Sequence, residues 1–243
     1  MLIRLILMAG LAGLSLPTAA IAAGPTYTAD ELVARNLEAR GGADKLRAVR
    51  SMRASGKMRF GGGMEAQVRS VTMAPDKARF EFSLQGLTAV NAWDGSEGWA
   101  IEPFQGRRDP QKTSRDDSKG LIRAADIGGP LLDWKAKGSR LEYLGTEDID
   151  GTAAHKLRVT FKDGDSQVLF LDPDHFLEIR VEDHVFVRGQ EQVSATDLGE
   201  YAQVDGVYFP FEQGQMQVDA IELNTPVDAA IFAFPAAKPT ANP

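Results

Sequence analysis

The sequence predicts a mainly β domain: an unclosed antiparallel β-barrel of about eleven strands, with an N-terminal helix and a central helical insertion that cover a hydrophobic cavity. Two blocks of residues alternate between apolar and polar side chains with the period of two that marks half-buried strands. Turn sequences such as Asp163-Gly164 join neighbouring segments, as in antiparallel hairpins. A stretch with helical spacing separates the blocks, and it must cross a face or an open end of the sheet.

Residues 1–22 are predicted to form a secretory signal peptide. Arg4 supplies the positive charge, and residues 5–16 form an apolar segment too short to span a bilayer. The residues before Ala23 fit the small-x-small cleavage pattern, with cleavage near Ala22, and a membrane anchor is the alternative. We therefore expect a periplasmic protein with one domain over 23–235 and a disordered tail over 236–243.

Composition excludes several classes of function. The net charge of −7 disfavours a nucleic-acid partner, which would need a basic face. The chain contains no cysteine, so disulfides, thiol nucleophiles and cysteine-ligated metals are excluded. Hydrophobic residues make up 43% of the chain and charged residues 25%, which is typical of a globular protein. We expect a monomer.

The N-terminal part of the domain begins with a helix. Thr28 and Glu31 form a capping box, and the helix is predicted to end near Arg40. A second short helix is expected over residues 43–49. The first block of strands follows, with Trp93 and Trp99 expected near one another across a hairpin. Its segments are 52–60, 64–73, 78–84, 87–93 and 98–104.

The central insertion lacks strand alternation. Residues 106–119 are polar and charged, with no period of two. Apolar and small residues from Leu121 to Leu132 then recur at helical spacing, interrupted by Gly128-Gly129. Pro130 is expected to begin another short helix.

The second block of strands begins at Arg140. In residues 152–162, His155 is expected on the same apolar face as Ala153 and Phe161, with Ala154 on the wet face. Ile179 and Val181 are likewise expected to share a face, opposite Glu178. Further strands are predicted over 166–171, 177–187, 191–201, 207–211 and 213–223, with a final helical turn over 227–232.

No catalytic or metal-binding constellation emerges from the sequence. His155 lies on an apolar strand face, which is typical of an interior histidine, although a ligand or catalytic role is the alternative. His175 and His184 lie near Asp172, Asp174 and Asp183, but without the spacing of a metal motif. We expect no enzyme activity, no metal and no cofactor.

The concave face of such a half-barrel offers a cavity for a ligand. The alternative is that the same side chains form an ordinary core. The insertion is interpreted as a lid whose apolar side chains fill the empty cavity, with Gly128 and Gly129 as hinge. The predicted cavity residues are Phe80, Phe82, Leu84, Trp93, Trp99, Leu157, Val159 and Phe161, and the predicted lid residues are Leu121, Ile122, Ala125, Leu131, Leu132 and Trp134.

Four stretches resemble the outer-membrane lipoprotein-sorting (LolA-like) superfamily of bacterial periplasmic proteins. They are residues 36–58, 93–99 (WDGSEGW), 127–151, and 207–212 (VYFPFE) with 221–235. The resemblance, to the broad branch of that superfamily, implies an unclosed barrel with a helical lid over a hydrophobic cavity. It also implies binding of lipid or lipoprotein acyl chains, or a stress-sensing role.

The sequence therefore leaves three alternative functions open. The first is a periplasmic carrier or binder of acyl chains, without catalysis. The second is an envelope protein-interaction or stress-sensor module, which predicts a stable protein partner. The third is an envelope hydrolase, which predicts titratable groups converging around His155 or His184.

Overall fold

The computed structural model describes residues 27–236, which form one antiparallel sheet of thirteen strands. The strands are β1 (Ser51–Phe60), β2 (Met64–Met73), β3 (Lys77–Leu84), β4 (Leu87–Trp93), β5 (Gly98–Glu102), β6 (Arg107–Thr113), β7 (Arg140–Ile149), β8 (Thr152–Thr160), β9 (Ser166–Leu171), β10 (Glu178–Val187), β11 (Gln190–Val204), β12 (Val207–Gln213) and β13 (Met216–Leu223). Each strand pairs with its neighbour in the chain within each block, and β1 pairs with β13 to join the blocks. β6 and β7 are the two edges, so the predicted unclosed barrel is confirmed, with two more strands than expected.

The extra strand β6 lies in the segment that the sequence predicts to be irregular. It pairs with β5, Gly98 standing opposite Thr113. Most of its side chains are exposed, so no apolar alternation marks it. As an edge strand it also tolerates Pro110, which cannot donate a ladder hydrogen bond.

A β-bulge in β10 changes the faces of its side chains. The register slips between Glu178 and Arg180. Ile179 therefore packs beside Phe170 on the convex face, whereas Val181 packs on the concave face that the helices cover. The prediction that Ile179 and Val181 share a face is wrong. Glu178, expected on the wet face, is only 7% exposed.

Strand β8 is buried on both faces. Leu157 and Val159 point into the concave core as expected, but Ala153 is exposed and Ala154 is fully buried. Ala154 packs beside Phe170 in a small convex cluster. A strand covered on both sides does not show a clean alternation.

Two helices precede the sheet. Helix α1 (Ala29–Ala39) begins with the predicted capping box, and its Leu32 and Val33 cover the concave face of β8 and β9. Gly41 follows with φ of +109°, and a Cβ atom there would lie 2.1 Å from the carbonyl oxygen of Gly206. Helix α2 (Ala43–Ala48) then buries Leu46.

The central insertion contains one short helix, α3 (Lys119–Ala124), which packs against β3 and β4. Residues 130–138 form turns, so the helix expected at Pro130 is wrong. Leu131 enters the core beside Leu157, while Leu132 enters a different core beside Val207. Asp133 has φ of +52°, and this left-handed residue ends any helical continuation.

The last described segment lies on the convex face. It contains a 3₁₀ turn (Ala229–Ile231), in the region where a helical turn is expected. Phe232 is fully buried, and its carbonyl accepts a hydrogen bond from Trp99 Nε1 at 2.7 Å. This segment therefore covers Trp99 from outside the barrel.

The predicted signal peptide and nearly all of the predicted tail lie outside the described residues. Within residues 27–236, no helix has the length and apolar composition needed to cross a membrane.

Candidate functional site

An apolar cavity of about 570 Å³ lies between α3 and the concave face of the sheet. Its walls come from β1–β4, β12 and β13. Aliphatic, thioether and aromatic side chains dominate the lining, with a few hydroxyl and amide groups among them. Three charged residues, Arg69, Arg79 and Asp117, also line the cavity. The principal side chains are Met52, Ala54, Val68, Ser70, Thr72, Ala78, Phe80, Asn91, Leu121, Ala124, Phe209, Met216, Val218 and Ile221.

The cavity exists because small residues face one another across β1, β2 and β3. Ala54 stands opposite Ser70, and Ala78 stands opposite Thr72. The side chains at these four positions are too short to reach α3, so space remains beneath the helix. The volume lies within the 300–1,000 Å³ range of small-molecule sites.

Helix α3 forms the roof of the cavity. Leu121 and Ala124 line it from above. Two cations of the same helix bind the turn between β8 and β9: Lys119 Nζ lies 3.2 Å from Asp165 Oδ1, and Arg123 Nη2 lies 3.1 Å from Asp165 Oδ2. Arg123 also lies 3.0 Å from Asp163. The roof is therefore held largely by ion pairs.

Asp165 is the centre of this attachment. Its side chain is 1% exposed and accepts a third hydrogen bond, from the amide of Phe186 at 3.0 Å. Burial alone raises the pKa of the carboxyl, but the Phe186 amide and the two cations outweigh it. The net pKa lies below its ordinary value, so Asp165 stays ionised.

The glycine pair beyond α3 is held by a buried arginine. Arg40 Nη1 donates to the carbonyl of Gly128 at 3.0 Å, and Arg40 is 9% exposed. Gly129 has φ of +79°, which most other residues avoid. Lys137 Nζ also donates to the carbonyl of Gly129 at 2.8 Å, so two side-chain hydrogen bonds hold the predicted hinge in this structure.

The predicted cavity residues do not lie together in one place. Phe80 lines the cavity. Phe82 and Leu84 lie further along β3, where Phe82 makes edge-to-face contacts with Phe60 and Phe104. Trp93 stands opposite Ala78 but is itself 3% exposed and packed.

The other predicted cavity residues lie elsewhere. Leu157 and Val159 are fully buried in the core against α1. Phe161 packs at the edge of that core, with the Arg123 guanidinium 3.5 Å from its ring centre. Trp99 departs furthest from its prediction. It pairs with Ala92, and so faces away from Trp93 and the cavity, beneath the C-terminal segment.

The predicted lid residues divide in the same way. Leu121 lines the apolar cavity, and Ile122 faces a second, polar cavity. Ala125 is 2% exposed. Leu131 and Leu132 are buried in two separate core clusters, and Trp134 is partly buried and packs against the first of them.

The part of the cavity wall that the last strands form was not predicted from the sequence. Met216, Val218 and Ile221 come from β13, which lies beside β1 only because the sheet curves back on itself. The available signal was the run of small residues on one face of β1–β3, which leaves space that larger side chains would fill.

The three histidines do not converge. His155 is 6% exposed, lies 3.0 Å from the Tyr143 hydroxyl and stacks on Phe176. Its burial lowers the pKa of the imidazole. His175 pairs with Asp172, and His184 lies on the opposite face of the sheet. No group of three or more His, Asp or Glu side chains within residues 27–236 could hold a metal ion.

No protein-family model and no curated protein matches this sequence. Similar solved structures exist, however. A domain assigned to the outer membrane lipoprotein-sorting proteins, from Vibrio parahaemolyticus, is 14% identical with a TM-score of 0.54, over 84% of this chain and 97% of that one. A DUF1329 family protein from Desulfovibrio piger is 11% identical with a TM-score of 0.56, over 86% and 98%.

A LolA superfamily protein from Nitrosomonas europaea is 13% identical with a TM-score of 0.54, over 86% of this chain and 98% of that chain. At these identities the likeness concerns the fold. The sheet of this chain thus has the same fold as these three solved structures, and the fold implied by the sequence resemblance is confirmed.

Proposed function

We propose that this protein binds an acyl chain of a lipid or lipoprotein in the apolar cavity beneath α3 and carries it without chemical change. The observation that supports this most is the cavity itself, about 570 Å³ of mostly apolar space beneath α3. The names of the structural relatives, which include a lipoprotein-sorting domain, agree with such a ligand.

The proposal places the protein in the bacterial periplasm. The predicted signal peptide, with cleavage near Ala22, supports export. In that compartment an acyl chain must cross water, and a binding cavity shields it.

Energetics explain why the roof should move. Burying a long acyl chain yields about 0.8 kcal/mol per CH₂, or roughly 12 kcal/mol for one chain. A carrier that kept all of this free energy would not release its ligand. Leu121 lines the same space, so displacing its side chain offsets part of the binding free energy of the acyl chain.

The attachments of α3 suit such a movement. Lys119 and Arg123 hold the helix at one turn, and each is partly exposed to water. Gly128-Gly129 remains the proposed hinge, and its movement breaks the hydrogen bond from Arg40. Breaking a few polar contacts costs less than pulling a large apolar face out of a core.

The test is to fill the cavity. In Ala54→Phe a phenyl ring replaces a methyl group in the cavity wall. The matched control is Ala153→Phe, which places the same ring at an exposed position of β8. We expect the cavity variant to bind an apolar fluorescent probe at least about tenfold more weakly, a loss of roughly 1.4 kcal/mol, and the control to bind normally.

Native mass spectrometry of protein purified from the envelope gives a second readout. We expect copurified lipid on the parent protein and on Ala153→Phe, but not on Ala54→Phe. Lipid-free parent protein, with probe binding unchanged in Ala54→Phe, would contradict the proposal and favour the protein-interaction module.

A further inference from the structure

A second cavity, of about 660 Å³, lies on the other side of α3. Its walls include Phe161 and the concave face of β9–β12. Ala124 and Gln213 line both this cavity and the apolar one, so the two adjoin beneath the helix. Helix α3 therefore lies over two adjoining cavities, an apolar one and a polar one, which are called the apolar end and the polar end.

The polar end carries seven charged side chains, four of them cationic. Two of these cations are paired: Arg123 with Asp163 at 3.0 Å and Lys137 with Asp126 at 2.5 Å. The other two are Arg115 and Lys162. Both line the cavity and are exposed, and neither has a carboxylate within 4.0 Å among residues 27–236.

Two unpaired cations on one cavity are notable in a chain of net charge −7. The Arg115 guanidinium also lies 5.7 Å from the ring centre of Trp93, which stands opposite Ala78 of the apolar wall. Arg115 is thus placed between the two ends. A ligand whose chain reaches under Leu121 would bring its head group towards this side chain.

One carboxylate opposes this arrangement. Asp183 lines the polar cavity and accepts a hydrogen bond from Gln167 at 2.6 Å, with no cation within 4.0 Å among the described residues. It repels a bound anion. Replacing Asp183 with a neutral residue should therefore strengthen the binding of an anionic ligand, whereas removal of the cations should weaken it.

We infer that the ligand is an amphiphile with a negatively charged head group, a phosphate ester or a carboxylate, which binds at Arg115 and Lys162 while its chain occupies the apolar cavity. This inference rests on the proposed function and narrows its ligand class. A neutral lipid would leave both cations unpaired.

The experiment compares three ligands with the same C16 chain, added as monomers at low salt: lysophosphatidylglycerol, palmitate and the neutral alcohol hexadecanol. The variant Arg115→Gln/Lys162→Gln removes both cations. The control Arg108→Gln/Arg140→Gln removes the same charge from exposed positions outside the cavity. Binding is measured by displacement of the apolar probe.

We expect the double variant to bind at least one anionic ligand about fivefold more weakly, since exposed ion pairs contribute little individually. Its affinity for hexadecanol should be unchanged, which also shows that it is folded. Asp183→Asn should bind the same anionic ligand about twofold more tightly. Both changes in the binding of the anionic ligand should shrink at high salt. Weaker binding of the phosphate ligand alone identifies a phospholipid, and weaker binding of palmitate alone identifies a fatty acid.

Equal affinities of the parent protein and the double variant for both anionic ligands would overturn the inference and leave the acyl-chain proposal standing, as would an equal loss for the alcohol. Failure of the parent protein to bind any of the three ligands would instead overturn the proposed function itself.

Discussion

The two halves of the concave face share one strand geometry but differ in what fills them. Under α1, large side chains such as Leu157 and Leu169 meet Leu32 and Leu131, and all four are at most 2% exposed. Under α3, small side chains such as Ala54 and Ala78 leave about 570 Å³. Side-chain volume on the inner face, rather than strand alternation, decides which half is solid.

The two covering helices also differ in how they are held. α1 buries Leu32 and Val33 in the core, and its apolar contacts fix it. α3 has no buried residue within its six positions, and Asp165 binds two of its cations. A helix held by apolar burial stays in place, whereas a helix held by a few partly buried ion pairs, with no buried residue of its own, opens at lower cost.

The largest expected effect is a loss of stability from a substitution in the solid half of the concave face, under α1. Leu157→Ala should lower the free energy of unfolding by about 2–5 kcal/mol, because it leaves a cavity in a tightly packed core. Ala54→Leu adds volume where space exists, so its free energy of unfolding should change by less than about 1 kcal/mol. Urea denaturation measures both. Comparable losses in the two variants would remove the distinction between the halves.

A smaller effect concerns the attachment of α3. Asp165→Asn removes the charge that holds Lys119 and Arg123, and should lower the free energy of unfolding by about 1–3 kcal/mol. Amide hydrogen exchange should rise in α3 and stay unchanged in α1. If the amides of α3 exchange at the same rate in Asp165→Asn as in the parent protein, Asp165 does not hold the roof.

The same residue predicts a dependence on pH. Because the folded-state pKa of Asp165 lies below its ordinary value of about 3.9, its contribution to stability is complete above that value. It is lost as the pH falls through the folded-state pKa. Urea midpoints between pH 6 and pH 2 should therefore fall less steeply for Asp165→Asn than for the parent protein.

Much of the fold could be predicted from the sequence because local signals specify it. The capping box at Thr28, the glycines after α1 and the alternation in β1–β4 and β7–β9 each depend on near neighbours in the chain. β6 escaped prediction because an exposed edge strand buries no apolar face. Ile179 and Glu178 were misplaced because a bulge shifts the register without a sequence signal.

The candidate site was less predictable because it depends on distant contacts. Phe80 and Leu121 line the apolar cavity. Trp99 does not, since its direction depends on strand register and its cover comes from Phe232, 133 positions later in the chain. Large aromatic residues suggested a cavity lining, whereas the space comes from small residues such as Ala54, which carry little signal alone.

The most direct test of acyl-chain binding beneath α3 is to determine which residues the bound chain contacts. Methyl groups of Met, Ile, Leu and Val can be observed by NMR in otherwise deuterated protein, with nuclear Overhauser effects to a protonated C16 chain. Binding beneath α3 predicts contacts with Met216, Val218 and Ile221, together with Leu121 of α3. Contacts confined to the core of Leu157 and Leu169, or to the convex face, would contradict it.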